Sequence, residues 1–176
     1  MNFAKGHSIH GRAYCDFLLG KHNEALALLY LIKGASPHVN WLISLINIVE
    51  DNTSYPPTYM QIRNFYEQDL NMLFFVQQRK TARKVISEIH YFELFNKEIY
   101  KYNARILFKN GMADVAEDYI KHSIDIFYND PENHYILGEI YLKTGRNDKA
   151  KQEFYIANNV IGDYLPAQKK LKDLSN

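Results

Sequence analysis

The fold is indicated by one stretch near the carboxyl end of the sequence, residues 136–157, which reads ILGEIYLKTGRNDKAKQEFYIA. Its apolar residues recur every three or four positions on both sides of Gly145, which is the spacing of one stripe along an α-helix. The polar segment around Gly145 is too short for any connection other than a tight turn between antiparallel helices. The stretch therefore predicts two short amphipathic helices that pack against each other.

The same pattern occurs thirty-four residues earlier in the chain. The matched positions share a turn glycine, a small residue or an apolar residue: Gly145 with Gly111, Ala150 with Ala116, Tyr141 with Leu107, Phe154 with Ile120, and Gly138 with Ala104. A further step of thirty-four residues keeps the apolar pattern but places Gln77 where the turn glycine is expected. Because a short hairpin cannot bury its apolar stripe alone, this period predicts a stack of helical hairpins.

One repeat carries a recognisable motif. Leu137-Gly138, Tyr141, Ala150, Phe154 and Ala157 follow the spacing L-G-x-x-Y and then A-x-x-x-F-x-x-A, which resembles a tetratricopeptide repeat. The sequence departs from that pattern at His134, where the family usually has Trp, and at Gly162, where it usually has Pro. The resemblance implies an all-α fold, an α-α superhelix or solenoid of about ten antiparallel helices.

The predicted organisation is a single helical repeat domain over residues 1–176. It begins with a degenerate helix pair at 5–34, followed by an extra helix at 36–50 with Ser36 as its N-cap and Pro37 at its first position. The prolines and polar residues between Asp51 and Pro57 predict a break or hinge. Three repeat units at 57–91, 96–128 and 131–160 and a capping helix at 163–174 complete the chain.

Composition excludes several classes of protein. The 21 Lys and Arg residues against 20 Asp and Glu leave a formal charge of +1, which argues against a general nucleic-acid binder. No apolar run approaches the roughly 20 residues of a membrane span, and no secretory signal is evident, so we expect a cytoplasmic protein with no membrane partner. The lone Cys15 cannot form an internal disulfide. One local cluster, Arg79-Lys80 with Arg83-Lys84, hints at an anionic partner.

The sequence offers little for catalysis. It has no phosphate-binding loop, dinucleotide-binding glycine motif, serine nucleophile elbow or zinc-protease motif. The seven histidines are scattered, and only His7 and His10 share a helix face, so neither a metal nor a cofactor is predicted. Most Tyr and Phe residues fall on the apolar stripes and are interpreted as core. An enzyme with a pocket near the N-terminal helices, shaped by residues 36–57, stays open as an alternative.

The resemblance also implies where a partner would bind. In tetratricopeptide stacks the first helix of each pair lines a concave groove, and the family's groove positions correspond to Lys101, Arg105, Phe108, Lys109, Tyr135, Glu139, Leu142 and Lys143. Three of these residues, Lys101, Arg105 and Lys109, are spaced i, i+4, i+8 and form a positive stripe. Such a stripe suits an acidic segment of a partner, although a solvated helix face is an equal alternative.

The function predicted from the sequence is therefore a non-enzymatic protein–protein interaction module: an adaptor, a chaperone or a peptide receptor. Self-assembly of identical chains into a structural homo-oligomer is a further alternative. Exposed apolar side chains would favour it.

Overall fold

The computed structural model describes residues 3–52 and 56–174, with the backbone alone for residues 3–7. All regular secondary structure in these residues is helical. The chain forms two compact units, unit 1 from Met1 to Asn96 and unit 2 from Lys97 to Asn176.

Unit 1 contains α1 (Phe3–Leu18), α2 (His22–Leu31), α3 (Pro37–Val49), α4 (Tyr59–Phe75), α5 (Arg79–Ser87) and the five-residue α6 (Ile89–Glu93). Helices α1 and α2 form an antiparallel pair, and α3 packs against α1, α2, α4 and α5. The sequence did not anticipate α6. It follows α5 closely and places Phe92 in the core.

The extra helix predicted at 36–50 is the centre of unit 1. The Ser36 hydroxyl accepts a hydrogen bond from the Val39 N–H at 3.2 Å, and Pro37 occupies the first turn. Every residue from Trp41 to Val49 is buried, including Ser44 and Asn47. This burial extends around the helix because α1, α2, α4 and α5 pack against α3 on several sides.

The turn between α4 and α5 has the backbone conformation of the other repeat turns. Gln77 has φ 65°, close to the 79° of Gly111 and the 76° of Gly145. Glutamine adopts this left-handed region at a cost of about 1–2 kcal/mol, which explains why glycine occupies the other two turns. The predicted break between Asp51 and Pro57 includes residues 53–55, which lie outside the described residues.

Unit 2 contains α7 (Ile99–Lys109), α8 (Ala113–Ile126), α9 (Pro131–Lys143), α10 (Asn147–Ile161) and α11 (Leu165–Asp173). Each helix packs on the next, and α7 also packs on α9. The motif requires a glycine at position 138, because a Cβ added there would lie 2.5 Å from Cε1 of Phe154. The glycine thus allows α9 and α10 to approach closely.

His134, which replaces the usual Trp, is a buried hydrogen-bonding residue. Its Nδ1 lies 2.8 Å from Oε2 of Glu153 and its Nε2 lies 2.9 Å from the Tyr128 carbonyl. Since a carboxylate and a carbonyl are both acceptors, both ring nitrogens donate and the ring is an imidazolium. Burial lowers the pKa of His134, but the Glu153 hydrogen bond, the Tyr128 carbonyl and nearby negative charge together raise it above its ordinary value.

Candidate partner-binding face

The eight residues predicted to bind a partner occupy equivalent positions on α7 and α9, and together they define the α7/α9 face. These residues are Lys101, Arg105, Phe108 and Lys109 on α7, and Tyr135, Glu139, Leu142 and Lys143 on α9. Their exposure changes along the face. Lys101 is buried near the start of α7, whereas Lys109 and Lys143 are exposed in the last turns of their helices.

Lys101 is not available to a partner in this structure. Its side chain is only 8% exposed, and its Nζ lies 2.7 Å from Asp130, 3.3 Å from Glu132 and 3.4 Å from Glu98. Burial lowers the pKa of Lys101, but the hydrogen bond to Asp130 and the three negative charges raise it by more, so the ammonium stays charged. Lys101 therefore joins α7 to the start of α9.

The side chain of Arg105 also makes its contacts within the protein. Its Nη1 donates to Oε1 of Glu132, and its guanidinium lies over the ring of Tyr102, 5.3 Å from the ring centroid. The expected positive stripe is therefore not continuous. Lys101 and Arg105 form ion pairs with three carboxylates, those of Glu98, Asp130 and Glu132. This end of the face has a net charge of −1. Sequence reasoning placed the cations correctly on one helix face but missed these carboxylates, two of which come from the following repeat.

The other end of the α7/α9 face keeps its positive charge. Lys109 and Lys143 are exposed and form no ion pair with any residue that the structure describes. Each lies next to a partly exposed apolar residue, Phe108 on α7 and Leu142 on α9. This end therefore offers two cations and two apolar side chains together.

The capping helix α11 contacts the middle of the face. Nζ of Lys170 lies 2.8 Å from Oε1 of Glu139, and the rings of Tyr164 and Tyr135 are 5.9 Å apart in an edge-to-face arrangement. Tyr135 and Glu139 are thus partly covered. Only the tertiary contact identifies Lys170 as a partner of Glu139.

A second polar cluster lies in unit 1, around the fully buried carboxylate of Asp69. Its Oδ1 accepts a hydrogen bond from the Tyr14 hydroxyl at 2.7 Å, and its Oδ2 accepts from Trp41 Nε1 at 2.7 Å and contacts His38 Nε2 at 3.0 Å. Nδ1 of His38 lies 3.1 Å from Nε2 of His10. Burial, then the Asp69 charge and hydrogen bond, raise the pKa of Tyr14 far above its usual range. The hydrogen bonds of this cluster connect α1, α3 and α4.

Features that bear on the enzyme alternative are few. A cavity of about 450 Å³ in unit 1 is lined by α2, α3 and the start of α4, and several of its polar groups bond to the protein itself, including Asn47 to the Ile43 carbonyl. Cys15 is exposed on α1. Among the described residues, no group of three or more His, Cys, Asp and Glu is placed to hold a metal ion. The side chain of His7 lies outside the described residues.

None of the described helices combines the length and the apolar character needed to cross a bilayer. No protein-family profile and no curated protein matches the sequence.

Solved structures do resemble this one. YrrB, described as a TPR protein with an unusual peptide-binding site, matches with a TM-score of 0.52 and 15% identity over 93% of this chain and 90% of its own. TTC0263, a thermophilic TPR protein in Thermus thermophilus, matches with a TM-score of 0.50 and 15% identity over 97% of this chain and 98% of its own. The likeness confirms the all-α, tetratricopeptide-like fold that the sequence predicted.

Proposed function

We propose that this chain, whose fold is tetratricopeptide-like, is a non-enzymatic protein-interaction module that binds a segment of a partner protein on the α7/α9 face. The observation that carries the proposal is the pairing of Lys109 and Lys143 with Phe108 and Leu142 at equivalent positions of two adjacent repeats. Exposed cations beside apolar side chains suit a partner that brings both an acidic group and an apolar group.

The charge distribution gives the partner segment a polarity. Its acidic residue lies at the Lys109 and Lys143 end, because the Lys101 end carries three carboxylates against two cations and repels further negative charge. The residue at that second end is basic or uncharged. Lys101 and Arg105 hold the start of α9 in position and do not contact the partner.

The likeness to YrrB supports a peptide or an extended segment as the partner, because that protein is described as having a peptide-binding site. The family resemblance of the sequence supports the same class of role. An adaptor, a chaperone and a peptide receptor would each use such a face, and the identity of the bound segment distinguishes them.

A photo-crosslinking amino acid placed at Leu142 tests the proposal in a lysate of the source cells. We expect one dominant crosslinked protein, identified by mass spectrometry, and we expect it to disappear in the variant Lys109→Glu with Lys143→Glu. The matched charge control is Lys149→Glu with Lys169→Glu, which reverses two exposed lysines elsewhere in unit 2.

The positional control carries the same crosslinker at Val115, an exposed residue of α8. Crosslinking of the same protein with equal yield from Val115 and from Leu142 would contradict the proposal. So would a crosslink at Leu142 that persists in the double charge reversal while circular dichroism shows both proteins equally helical.

A further inference from the structure

Two turns of unit 1 lie against each other. The turn between α1 and α2 contains Gly20, and a Cβ built on Gly20 would lie 3.3 Å from Nε2 of Gln78, the residue before α5. This contact brings the residues next to Gly20 close to the end of α4 and the start of α5. We define the turn surface as Leu19, Lys21, Phe75, Arg79 and Lys80.

The turn surface exposes two large apolar side chains. Leu19 is 62% exposed and Phe75 is 79% exposed. Most of the surface of both side chains is therefore in contact with water. Two projecting apolar groups on adjoining turns form a feature that water solvates poorly and that an apolar medium would accept.

Basic residues surround these apolar groups. Lys21, Arg79 and Lys80 are exposed, and none of them forms an ion pair with an acidic residue in the described part of the chain. Residues 70–87 contain no Asp or Glu and four basic residues, of which Lys84 pairs with Asp51. The amino end of α5 adds the positive end of a helix dipole to this charge.

We propose that the turn surface binds the surface of an anionic lipid bilayer, with Leu19 and Phe75 inserted at the boundary of headgroups and acyl chains and with Lys21, Arg79 and Lys80 on the lipid phosphates. Charge complementarity selects an anionic occupant. The projecting apolar side chains select a deformable bilayer, because a nucleic acid offers stacking bases but no medium for a leucine. This binding is peripheral and needs no spanning helix.

The sequence analysis predicted no membrane partner from the near-neutral total charge and from the absence of an apolar run long enough to span. Neither the total charge nor the length of the apolar runs reports on a small patch of charged and apolar residues at the surface. The five residues come from two segments more than fifty positions apart in the sequence, and the fold brings these segments close, since a Cβ on Gly20 would lie 3.3 Å from Nε2 of Gln78.

Flotation with large unilamellar vesicles tests the proposal on the full chain. We expect binding to vesicles of equal parts phosphatidylglycerol and phosphatidylcholine, no binding to phosphatidylcholine alone, and weaker binding as salt rises from 50 to 300 mM. The variant Lys21→Glu, Arg79→Glu, Lys80→Glu should lose about a hundredfold or more in affinity, since each of the three basic residues near an anionic surface contributes about fivefold. Leu19→Ser with Phe75→Ser should weaken binding at 150 mM salt.

The matched control reverses three exposed lysines of unit 2, Lys149, Lys169 and Lys172, to Glu and should bind as the native chain does. Failure of the native chain to bind the anionic vesicles, or equal loss in the control and the turn-surface variant, would overturn the proposal. Tight binding of a single-stranded oligonucleotide that is lost in the turn-surface variant, without vesicle binding, would assign the surface to nucleic acid instead.

Discussion

Units 1 and 2 are both built from helical hairpins, but they hold their polar groups differently. In unit 2 the ion pairs of Lys101 join neighbouring repeats, with a partner 29 residues along the chain at Asp130. In unit 1 the polar centre is Asp69, which is fully buried and accepts from Tyr14, 55 residues away, as well as from Trp41. Unit 2 therefore connects its repeats through ion pairs, whereas unit 1 is connected through one buried carboxylate that accepts hydrogen bonds from two other helices.

The difference shows when a sequence period is informative. Where each helix packs on the next, the spacing of apolar residues predicts the partner as well as the helix. Where a helix is surrounded, as α3 is in unit 1, its apolar residues cover the whole circumference and the spacing no longer indicates which neighbour each residue meets.

Removal of the Asp69 carboxylate should have the largest effect and should be confined to unit 1. Asp69→Ala leaves the Tyr14 hydroxyl and Trp41 N–H without an acceptor inside the protein, so we expect a loss of about 3 kcal/mol or more in the free energy of unfolding. Urea unfolding followed by the fluorescence of Trp41, the single tryptophan, measures unit 1 directly.

Gln68→Ala, at an exposed position next to Asp69 on α4, is the control and should change stability by less than about 0.5 kcal/mol. A value for Asp69→Ala within the range of that control would mean that the buried carboxylate does not hold unit 1 together.

Two glycine substitutions compare the units directly. Gly138→Ala places a methyl group 2.5 Å from the Phe154 ring and should destabilise unit 2 by about 1–3 kcal/mol. Gly11→Ala in α1 has open space around it and should stabilise unit 1 by about 0.5–1 kcal/mol, because alanine favours helix. Urea unfolding followed by Trp41 fluorescence measures the change in unit 1, and hydrogen exchange of α9 and α10 peptides measures the change in unit 2.

A double-mutant comparison tests whether the cost of Gly138→Ala arises from the Phe154 ring. On a Phe154→Leu background the same alanine should cost clearly less, since the ring atoms nearest to the new methyl group are absent. An equal cost on both backgrounds would mean that the close approach of α9 and α10 is not the reason for the glycine.

The smallest effect should be a pH dependence in unit 2 due to His134. Because the folded state raises the pKa of His134, its stabilisation is fully present below the unfolded pKa of about 6.5 and is lost as pH rises through the folded pKa. The free energy of unfolding of the native chain minus that of His134→Gln should therefore fall as the pH rises above about 6.5.

That difference also removes the contributions of the other histidines, since they are common to both proteins. A difference that stays constant across this range would mean that His134 is neutral in the folded chain and that one of its two hydrogen bonds is not formed.

Much of the helical framework was predictable. The repeat period identified both hairpins of unit 2 and the turn at Gln77, and the Ser36-Pro37 pair predicted the start of α3. These features depend on residues within one or two turns of each other. The five-residue α6 was missed because a helix of that length has too few residues to show a period.

The candidate site was predictable only in part. The stripe of Lys101, Arg105 and Lys109 follows from helix geometry, but helix geometry does not show which of these cations forms an ion pair and which stays exposed. The carboxylates of Asp130 and Glu132 neutralise the first two cations from the next repeat, and Lys170 of α11 does the same to Glu139. Spacing within one helix contains no information about charges on its neighbours.

The amino-acid sequence by itself determined the helical class and the repeat turns, because both depend on local spacing and on the conformational range of single residues. The tertiary structure alone decided which cations stay exposed, that α3 is surrounded on several sides, and that Leu19 and Phe75 share a basic surface. Burial and charge pairing depend on groups that are distant in sequence, and their positions follow from how the helices pack.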